Sequence, residues 1–301
     1  KIGADDYIIK PFNAGEVMAR VRAILRRIHP QGENAAKVLT VANLVIDISN
    51  YLVTIDGKEV PLTKREKEIL YTLEALGMEW DDTVVYQSQR TKIYQDALNE
   101  LNQLGMIYPC TCSRKEIADS SILGLHGPIY PGTCFKNRLP VNGAHSLRIH
   151  THNHPILFYD ILKGEYSQKL NSEVGDFVLR RADGIYAYQL AVVVDDAAQL
   201  ISHVVRGADL LDSTPRQIFL QQSLGYYTPQ YLHLPVVTNA LGEKLSKQTH
   251  AAPINLSRAL MQLFLALEFL GQEPPNEIVD GDIASFWQWA IGNWRVKQIP
   301  Y

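Results

Sequence analysis

Tyr186-Ala-Tyr188-Gln-Leu-Ala-Val-Val-Val194-Asp195-Asp196 reads as an apolar strand closing on an acidic pair, and it opens the stretch, Gly184 to Lys247, from which the fold follows. A second apolar run leads into Val204-Val205-Arg206-Gly207-Ala-Asp209. Ser213-Thr214-Pro215 then opens a helix, with proline where its missing N–H is harmless. The strand Tyr231-Leu-His233-Leu-Pro235 and a loop carrying Lys244-Leu-Ser246-Lys247-Gln follow. Val- and Leu-rich strands separated by a helix of this length predict parallel strands joined by crossovers, hence an α/β fold.

The phrases YAYQLAVVVDD, VVRGADLL, TPRQI, LHLP and KLSKQ, in that order, resemble the glutamyl-Q tRNA(Asp) synthetase family, relatives of class I aminoacyl-tRNA synthetases. The resemblance runs from about Lys67 to the end. It implies a ligase that activates L-glutamate with ATP and Mg2+ and transfers it to queuosine in tRNA(Asp). It further implies that Tyr188 and Arg206 bind the glutamate. Arginine suits a ligand carboxylate because its fork donates two parallel hydrogen bonds. The alternative for Arg206 is an ion pair with Asp209, and for Tyr188 core packing. Lys244-Leu-Ser246-Lys247-Gln corresponds to the family's KMSKS loop, whose lysines neutralise ATP phosphates as charge develops on pyrophosphate; Lys247 matches its second lysine.

The bulk numbers fit a globular protein with room for two domains: 301 residues, 46% hydrophobic, 20% charged, formal net charge −3. With that charge, RNA must meet a local basic surface rather than a general field. No apolar run approaches the ~18 residues of a membrane span and no signal peptide is visible, so no membrane association, a cytoplasmic location and a monomer are expected.

Cys110-Thr-Cys112 followed by Tyr130-x-x-x-Cys134 brings all three cysteines into one short segment rich in Gly and Pro. Three thiolates and a phenolate would close a tetrahedral zinc site, and the family resemblance implies this ligand set at this spacing. Three ordinary reduced cysteines are the alternative. His150-Thr-His152-Asn-His154, if on a strand, would put three imidazoles on one face; a solvated strand face is the expectation there.

The N-terminal part reads differently. Tyr7-Ile-Ile-Lys10-Pro11 and a helix over 14–27, capped by Asn13, resemble the end of a response-regulator receiver domain. In that family the matching Lys10 contacts a phosphorylated aspartate and Tyr7 reports its state; a plain strand end and turn is the alternative. A linker from His29 precedes two alternating runs, Leu39–Ile48 and Tyr51–Val60, broken at Asp56-Gly57, which resemble the opening sheet of an OmpR-type winged-helix domain. The organisation that results is a receiver fragment (1–29), a winged-helix fragment (30–66) and a synthetase-like domain (67–301), with a zinc-bearing insertion at about 106–182 and a helix across the junction near 63–70. The fold class is an incomplete class I synthetase Rossmann-like core with C-terminal helices, preceded by those fragments, as in a gene fusion. No recognition helix follows Arg65, so sequence-specific DNA binding by a response regulator is the disfavoured reading; an inactive zinc- or tRNA-binding module is the other alternative. The HIGH-type segment that cradles ATP in the family is not matched, and the chain as read is expected to form glutamyl-adenylate poorly. Helices are also expected over Ile93–Leu104, stopped by Gly105, and over Leu256–Leu270, stopped by Gly271.

Overall fold

The computed structural model describes residues 38–41, 44–47, 52–55, 57–59, 64–79, 85–124, 127–137, 143–239, 241–245 and 252–300. The receiver-like segment with Tyr7, Lys10 and the helix over 14–27, the linker after His29, and Ser246 and Lys247 lie outside the described residues. The chain divides into two compact units, residues 1–79 and 80–301.

In the first unit, β1 (Val38–Val41), β2 (Leu44–Asp47), β3 (Leu52–Ile55) and β4 (Lys58–Glu59) form an antiparallel meander. The alternating run Leu39–Ile48 holds two strands, β1 and β2, paired with each other from Val38↔Asp47 to Val41↔Leu44. Alternation alone cannot show such a reversal. The Asp56-Gly57 break does join β3 to β4. Gly57 supplies the positive φ of the turn, +73°. Ile46 and Val53, cross-strand partners, are fully buried. Helix α1 (Lys64–Ala75) follows and covers the expected junction from residue 64 on.

The second unit begins its regular structure with α2 (Thr91–Gln103), β5 (Ile107–Cys110), α3 (Arg114–Ser120), the hairpin β6 (Ile122–Gly124) and β7 (Gly127–Ile129), α4 (Thr133–Asn137) and β8 (Ser146–Ile149). Next come β9 (Ile156–Asp160), β10 (Gly164–Gln168), α5 (Leu170–Glu173), β11 (Phe177–Arg180), α6 (Tyr188–Ala198), β12 (His203–Gly207), α7 (Thr214–Ser223) and β13 (Gln230–Leu234). Helices α8 (Ala259–Phe269) and α9 (Ile283–Asn293) complete it. One sheet has the order β11-β8-β5 and is antiparallel; the other has the order β10-β9-β13-β12. In the latter β12 and β13 are parallel, with α7 as their crossover, as the Val- and Leu-rich runs predict; β9 is also parallel to β13. Strands β9 and β10 belong to this sheet, although their residues fall inside the segment assigned to the insertion.

One expectation is overturned: from Tyr188 onward YAYQLAVVVDD is helix α6, not a strand. A continuous apolar run fits a buried helix as well as a buried strand, and the buried residues Leu190, Ala191, Val193 and Val194 recur at helical spacing. They join Tyr94, Ala97, Leu98 and Leu101 of α2 and Ile218, Phe219 and Leu220 of α7 in the main core. Helix α2 ends at Gly105 as expected, but Leu104 faces solvent. Helix α8 ends at Gly271, whose φ is +69° and where a Cβ would collide with the Gln298 carbonyl.

The end of α6 carries a testable irregularity. Ile201 N–H donates to the Asp196 carbonyl (2.9 Å) and Leu200 N–H to that of Ala197 (3.2 Å), a Schellman closure. It forces Leu200 to φ 55° while its side chain is 87% exposed. A left-handed conformation costs an L-residue roughly 1 kcal/mol. Leu200→Gly is therefore expected to raise stability by about 0.5 kcal/mol or more after the glycine's larger unfolded-state entropy is subtracted; chemical denaturation measures it.

Helices α2 and α6 are tied by a carboxylate. Asp195, nearly buried, accepts from Gln87 (2.9 Å), from Arg90 Nε (2.7 Å) and from the buried Tyr94 hydroxyl (2.8 Å). Burial, and then the Asp195 contact, pushes the Tyr94 phenol well above its usual range and keeps it a donor. Asp195→Ala would strand that hydroxyl in the core and leave Arg90 without its carboxylate. Arg90 is partly exposed and can turn to water, so a loss of about 2–3 kcal/mol is expected, below the range for fully buried pairs. Urea titration checks it, with Tyr94→Phe as the milder companion.

Candidate functional site

Parallel α/β sheets bind ligands beyond the carboxyl ends of their strands. Arg206 is the penultimate residue of β12, at that end. Its neighbours explain its pose. Arg206 Nε donates to His233 Nε2 (3.2 Å), and Nη2 donates to Thr214 Oγ1 (2.7 Å). His233 lies on β13 directly across the register from Arg206, and Thr214 is the first residue of α7. Arg206 is not paired with Asp209, the alternative weighed from sequence. Asp209 instead pairs with Lys244.

His233 and Asp160 are both fully buried, with Nδ1 2.6 Å from Asp160 Oδ2. Asp160 Oδ1 also accepts from the backbone N–H groups of Leu162 (3.0 Å) and Lys163 (2.8 Å). Those bonds and His233 hold the Asp160 carboxyl below its ordinary range although burial opposes this. Burial lowers the His233 pKa in spite of the carboxylate beside it. The imidazole is thus neutral near pH 7, and Nε2, facing an arginine that can only donate, is the acceptor.

Tyr188 opens α6 and is 49% exposed, so it is not the packed core residue of the alternative reading. Asp196 is pushed up to about 6 by burial, partly offset by Arg206. Lys244 pairs across a small hairpin with Thr238. Asn239 closes its turn by accepting from Leu241 and Glu243 N–H, both at 2.9 Å. That hairpin leads into the residues that hold Lys247.

The second constellation lies around β5. Cys110, Cys112 and Cys134 have sulfurs all within 4.8 Å of one another, and all three are free thiols. The Tyr130 hydroxyl is 3.3 Å from Cys110 Sγ and 3.6 Å from Cys112 Sγ, and Cys112 and Cys134 sulfurs are 3.4 Å apart. Zinc with ~2.3 Å bonds to sulfur and ~2.0 Å to oxygen places tetrahedral ligand atoms about 3.5–3.8 Å apart, so the four groups fit it. Their protonation is what such a cluster demands before a cation arrives. Burial raises Cys112 to about 11 and lifts Tyr130 well above its usual range. Burial opposes ionisation of Cys134 too, yet hydrogen bonds from Tyr130, the Thr111 backbone and the other thiols bring it to about 7.

The sequence positions Tyr130 through a glycine. Gly175 (φ +75°) bridges to it in parallel, and a Cβ there would lie 2.8 Å from the Tyr130 carbonyl oxygen. Arg148 lies over the Tyr130 ring at 4.0 Å, and its Nη1 donates to the Asp176 carbonyl (2.8 Å). The Asp176 carboxylate gathers Tyr108 (2.6 Å), Thr151 N–H (2.8 Å) and His150 (3.2 Å). His150, His152 and His154 therefore do not sit on one strand face. They follow β8 in a loop: His150 stacks on Phe135 at 3.8 Å, and His152 meets Phe219 edge-on. The strand reading fails because Asp176 and the aromatic side chains supply partners that spacing does not reveal.

His233 and Thr214 as partners of Arg206, Asp160 as the partner of His233, and Asp176 as the partner of Tyr108 and His150 went unread in the sequence. Their only signal is a carboxylate or imidazole at the end of, or inside, an apolar strand, where it must find a partner.

Residues 58–258 match the family model described as tRNA synthetases class I (E and Q), catalytic domain, a match that starts ahead of the junction expected near residue 66. The glutamyl-Q tRNA(Asp) synthetase of Dechloromonas aromatica (strain RCB) is 52% identical over 236 residues, 77% of this chain and 78% of that protein. That of Aromatoleum aromaticum is 48% identical over 234 residues, 78% of this chain and 74% of the relative. Among solved structures, the glutamate tRNA ligase of Elizabethkingia meningosepticum, in complex with its amino acid, superposes with a TM-score of 0.58 at 20% identity. It covers 80% of this chain, which spans 56% of that structure's length, and at this identity it speaks for the fold alone. The chain belongs to the class I tRNA synthetases of the glutamate and glutamine type, and within them to the glutamyl-Q tRNA(Asp) synthetase family.

Proposed function

We infer that the chain is an ATP-dependent ligase that glutamylates queuosine in tRNA(Asp). The observation that carries this is about 50% identity over three-quarters of the chain to glutamyl-Q tRNA(Asp) synthetases. An arginine fixed by neutral partners at the carboxyl end of β12 agrees with it. In the activating step a glutamate carboxylate oxygen attacks the α-phosphorus of ATP and pyrophosphate leaves. In the transfer step a queuosine hydroxyl attacks the acyl carbon and AMP leaves.

Arg206 would hold a ligand carboxylate through its Nη1/Nη2 edge, and Tyr188, exposed at the start of α6, would orient the rest of the amino acid. Lys244 and Lys247 would neutralise the leaving phosphates; Lys244 is parked on Asp209 until then. Cys110, Cys112, Tyr130 and Cys134 would hold zinc, which supplies shape to the β5–β8 segment and takes no part in the chemistry. The antiparallel meander β1–β4 followed by α1 supports reading residues 30–66 as a winged-helix opening. The family match begins at residue 58, ahead of the join read near residue 66.

The test is glutamate-dependent ATP–pyrophosphate exchange, followed by transfer of labelled glutamate to tRNA(Asp) with and without queuosine. Exchange that is lost in Lys247→Ala, with transfer only to the queuosine-bearing tRNA, would establish the ligase reading and overturn the poor adenylate formation expected from the sequence. Transfer independent of queuosine would replace the reading by ordinary glutamylation of tRNA. The absence of exchange would bear out the expectation drawn from the unmatched HIGH-type segment, and leave a binding role.

A further inference from the structure

We propose that Asp160 and His233 are positioning residues that lock the Arg206 guanidinium so that its distal Nη1/Nη2 edge is presented to the amino-acid substrate's carboxylate. The proposal rests on the reading of Arg206 as the cation that holds glutamate.

The geometry is a one-way chain of hydrogen bonds through three strands. Asp160, at the end of β9, has Oδ1 saturated by backbone N–H groups, so Oδ2 is the oxygen left for His233 Nδ1, at 2.6 Å. A carboxylate accepts, hence Nδ1 carries the proton and Nε2 offers its lone pair. That lone pair receives Arg206 Nε–H at 3.2 Å, and Thr214 Oγ1, which receives Nη2–H at 2.7 Å, lies 3.0 Å from the same imidazole nitrogen. Nε and Nη2 form one side of the guanidinium fork. With that side held by two fixed neutral acceptors, and no partner recorded for Nη1 among the described residues, the outer side is set for a bidentate carboxylate. The neutral acceptors also matter electrostatically. A carboxylate placed directly on Arg206 would compete with the substrate, and a protonated imidazole would repel the guanidinium.

A purely packing role for a buried histidine would require neither this tautomer nor this acceptor. Reversing the tautomer would turn Nε2–H toward Thr214 Oγ1, 3.0 Å away, and leave Arg206 Nε–H facing a donor instead of an acceptor. Asp160→Asn does this: its Oδ1 stays with the backbone N–H groups, and its amide then donates to Nδ1. His233→Asn keeps a donor for Asp160 but has no acceptor long enough for Arg206. His233→Gln puts an amide oxygen near the Nε2 position.

The experiment titrates the whole chain calorimetrically with glutamate and, separately, with ATP, and records imidazole nitrogen shifts by 15N NMR. The wild-type His233 is expected as the Nδ1–H tautomer at neutral pH. Asp160→Asn and His233→Asn are expected to weaken glutamate binding by about 10- to 100-fold with ATP binding unchanged, and His233→Gln to recover part of that loss. Thr214→Val removes the second acceptor without touching the buried carboxylate, so it reports even where Asp160→Asn fails to fold; about 3- to 10-fold weaker glutamate binding is expected. An Nε2–H or charged His233, equal loss of glutamate and ATP binding in His233→Asn, or wild-type glutamate binding in His233→Asn and Thr214→Val would each overturn the proposal. Arg206→Ala separates the two ideas. Lost glutamate binding there, with His233→Asn unaffected, removes the positioning role alone, whereas full binding in Arg206→Ala removes the assignment of Arg206 itself.

Discussion

Arg206→Ala is expected to lower kcat/KM for glutamate by two to three orders of magnitude, while KM for ATP changes little. Removing one member of a desolvated charge pair costs about 2–5 kcal/mol, because the partner is left without its counter-charge. A bidentate guanidinium–carboxylate pair belongs near the middle of that range, about 3–4 kcal/mol, which at ~1.36 kcal/mol per decade gives the stated fall. The same truncation removes a donor from both His233 and Thr214, which adds to the loss. Arg206→Lys should recover little. An ammonium is a single point donor and cannot satisfy His233, Thr214 and a carboxylate together. Steady-state exchange kinetics with glutamate varied at saturating ATP, then the reverse, measure both constants. An equal rise in both KM values would mean that Arg206 supports the sheet rather than the amino-acid pocket, and a change below tenfold would remove it from the pocket altogether.

Much of the frame around Arg206 is legible in the chain. The parallel pairing of β12 and β13 follows from two short apolar runs around a Pro-initiated helix, and the structure has them in register from His203↔Gln230 to Gly207↔Leu234. The C-terminal stop at Gly271 is equally local, since it depends on one residue's φ. Helix α6 was not legible, because Leu190 through Val194 is apolar without interruption and periodicity has nothing to act on. Nor was the polar interior. Asp195 meets Arg90 and Tyr94 across about a hundred residues of chain, and Asp160 meets His233 across two crossovers. Sequence can say that a buried carboxylate must be paired. It cannot say with whom, and the partner decides whether the residue holds the fold together or holds an arginine in place. The cysteine cluster was legible for the opposite reason: three thiols within 25 residues of chain can hardly avoid one another.

The purified chain is expected to carry close to one zinc, to lose it in the double variant Cys110→Ser, Cys134→Ser, and to melt about 10 °C lower without it. The three sulfurs already stand within 4.8 Å of one another, and the Tyr130 hydroxyl lies 3.3 Å and 3.6 Å from two of them. Bringing them together has therefore been accomplished by β5, β8 and the Gly175 bridge, and the metal has less folding to induce than in a zinc finger. For zinc-finger peptides the metal contributes ~10–16 kcal/mol. Here on the order of 3–5 kcal/mol is reasonable, and at about 2–4 °C per kcal/mol for a unit of this size that is roughly 10 °C. The pH dependence has a definite sign. Zinc binds thiolate and phenolate, so each ligand that holds a proton in the metal-free site must release it. Cys112, at about 11, and Tyr130, raised further, hold theirs throughout the neutral range, while Cys134 titrates near 7. Apparent zinc affinity should consequently rise with pH, and the slope against pH should become shallower by one proton as the pH passes about 7. Competition with a chromogenic chelator between pH 6 and 8.5 gives that slope, and calorimetry in buffers of different ionisation enthalpy counts the protons released. Tyr130→Phe keeps the three sulfurs and should leave zinc bound but weaker, with fewer protons released per metal. An unchanged zinc content in the double cysteine variant, or affinity independent of pH, would show that the metal, if present, sits elsewhere.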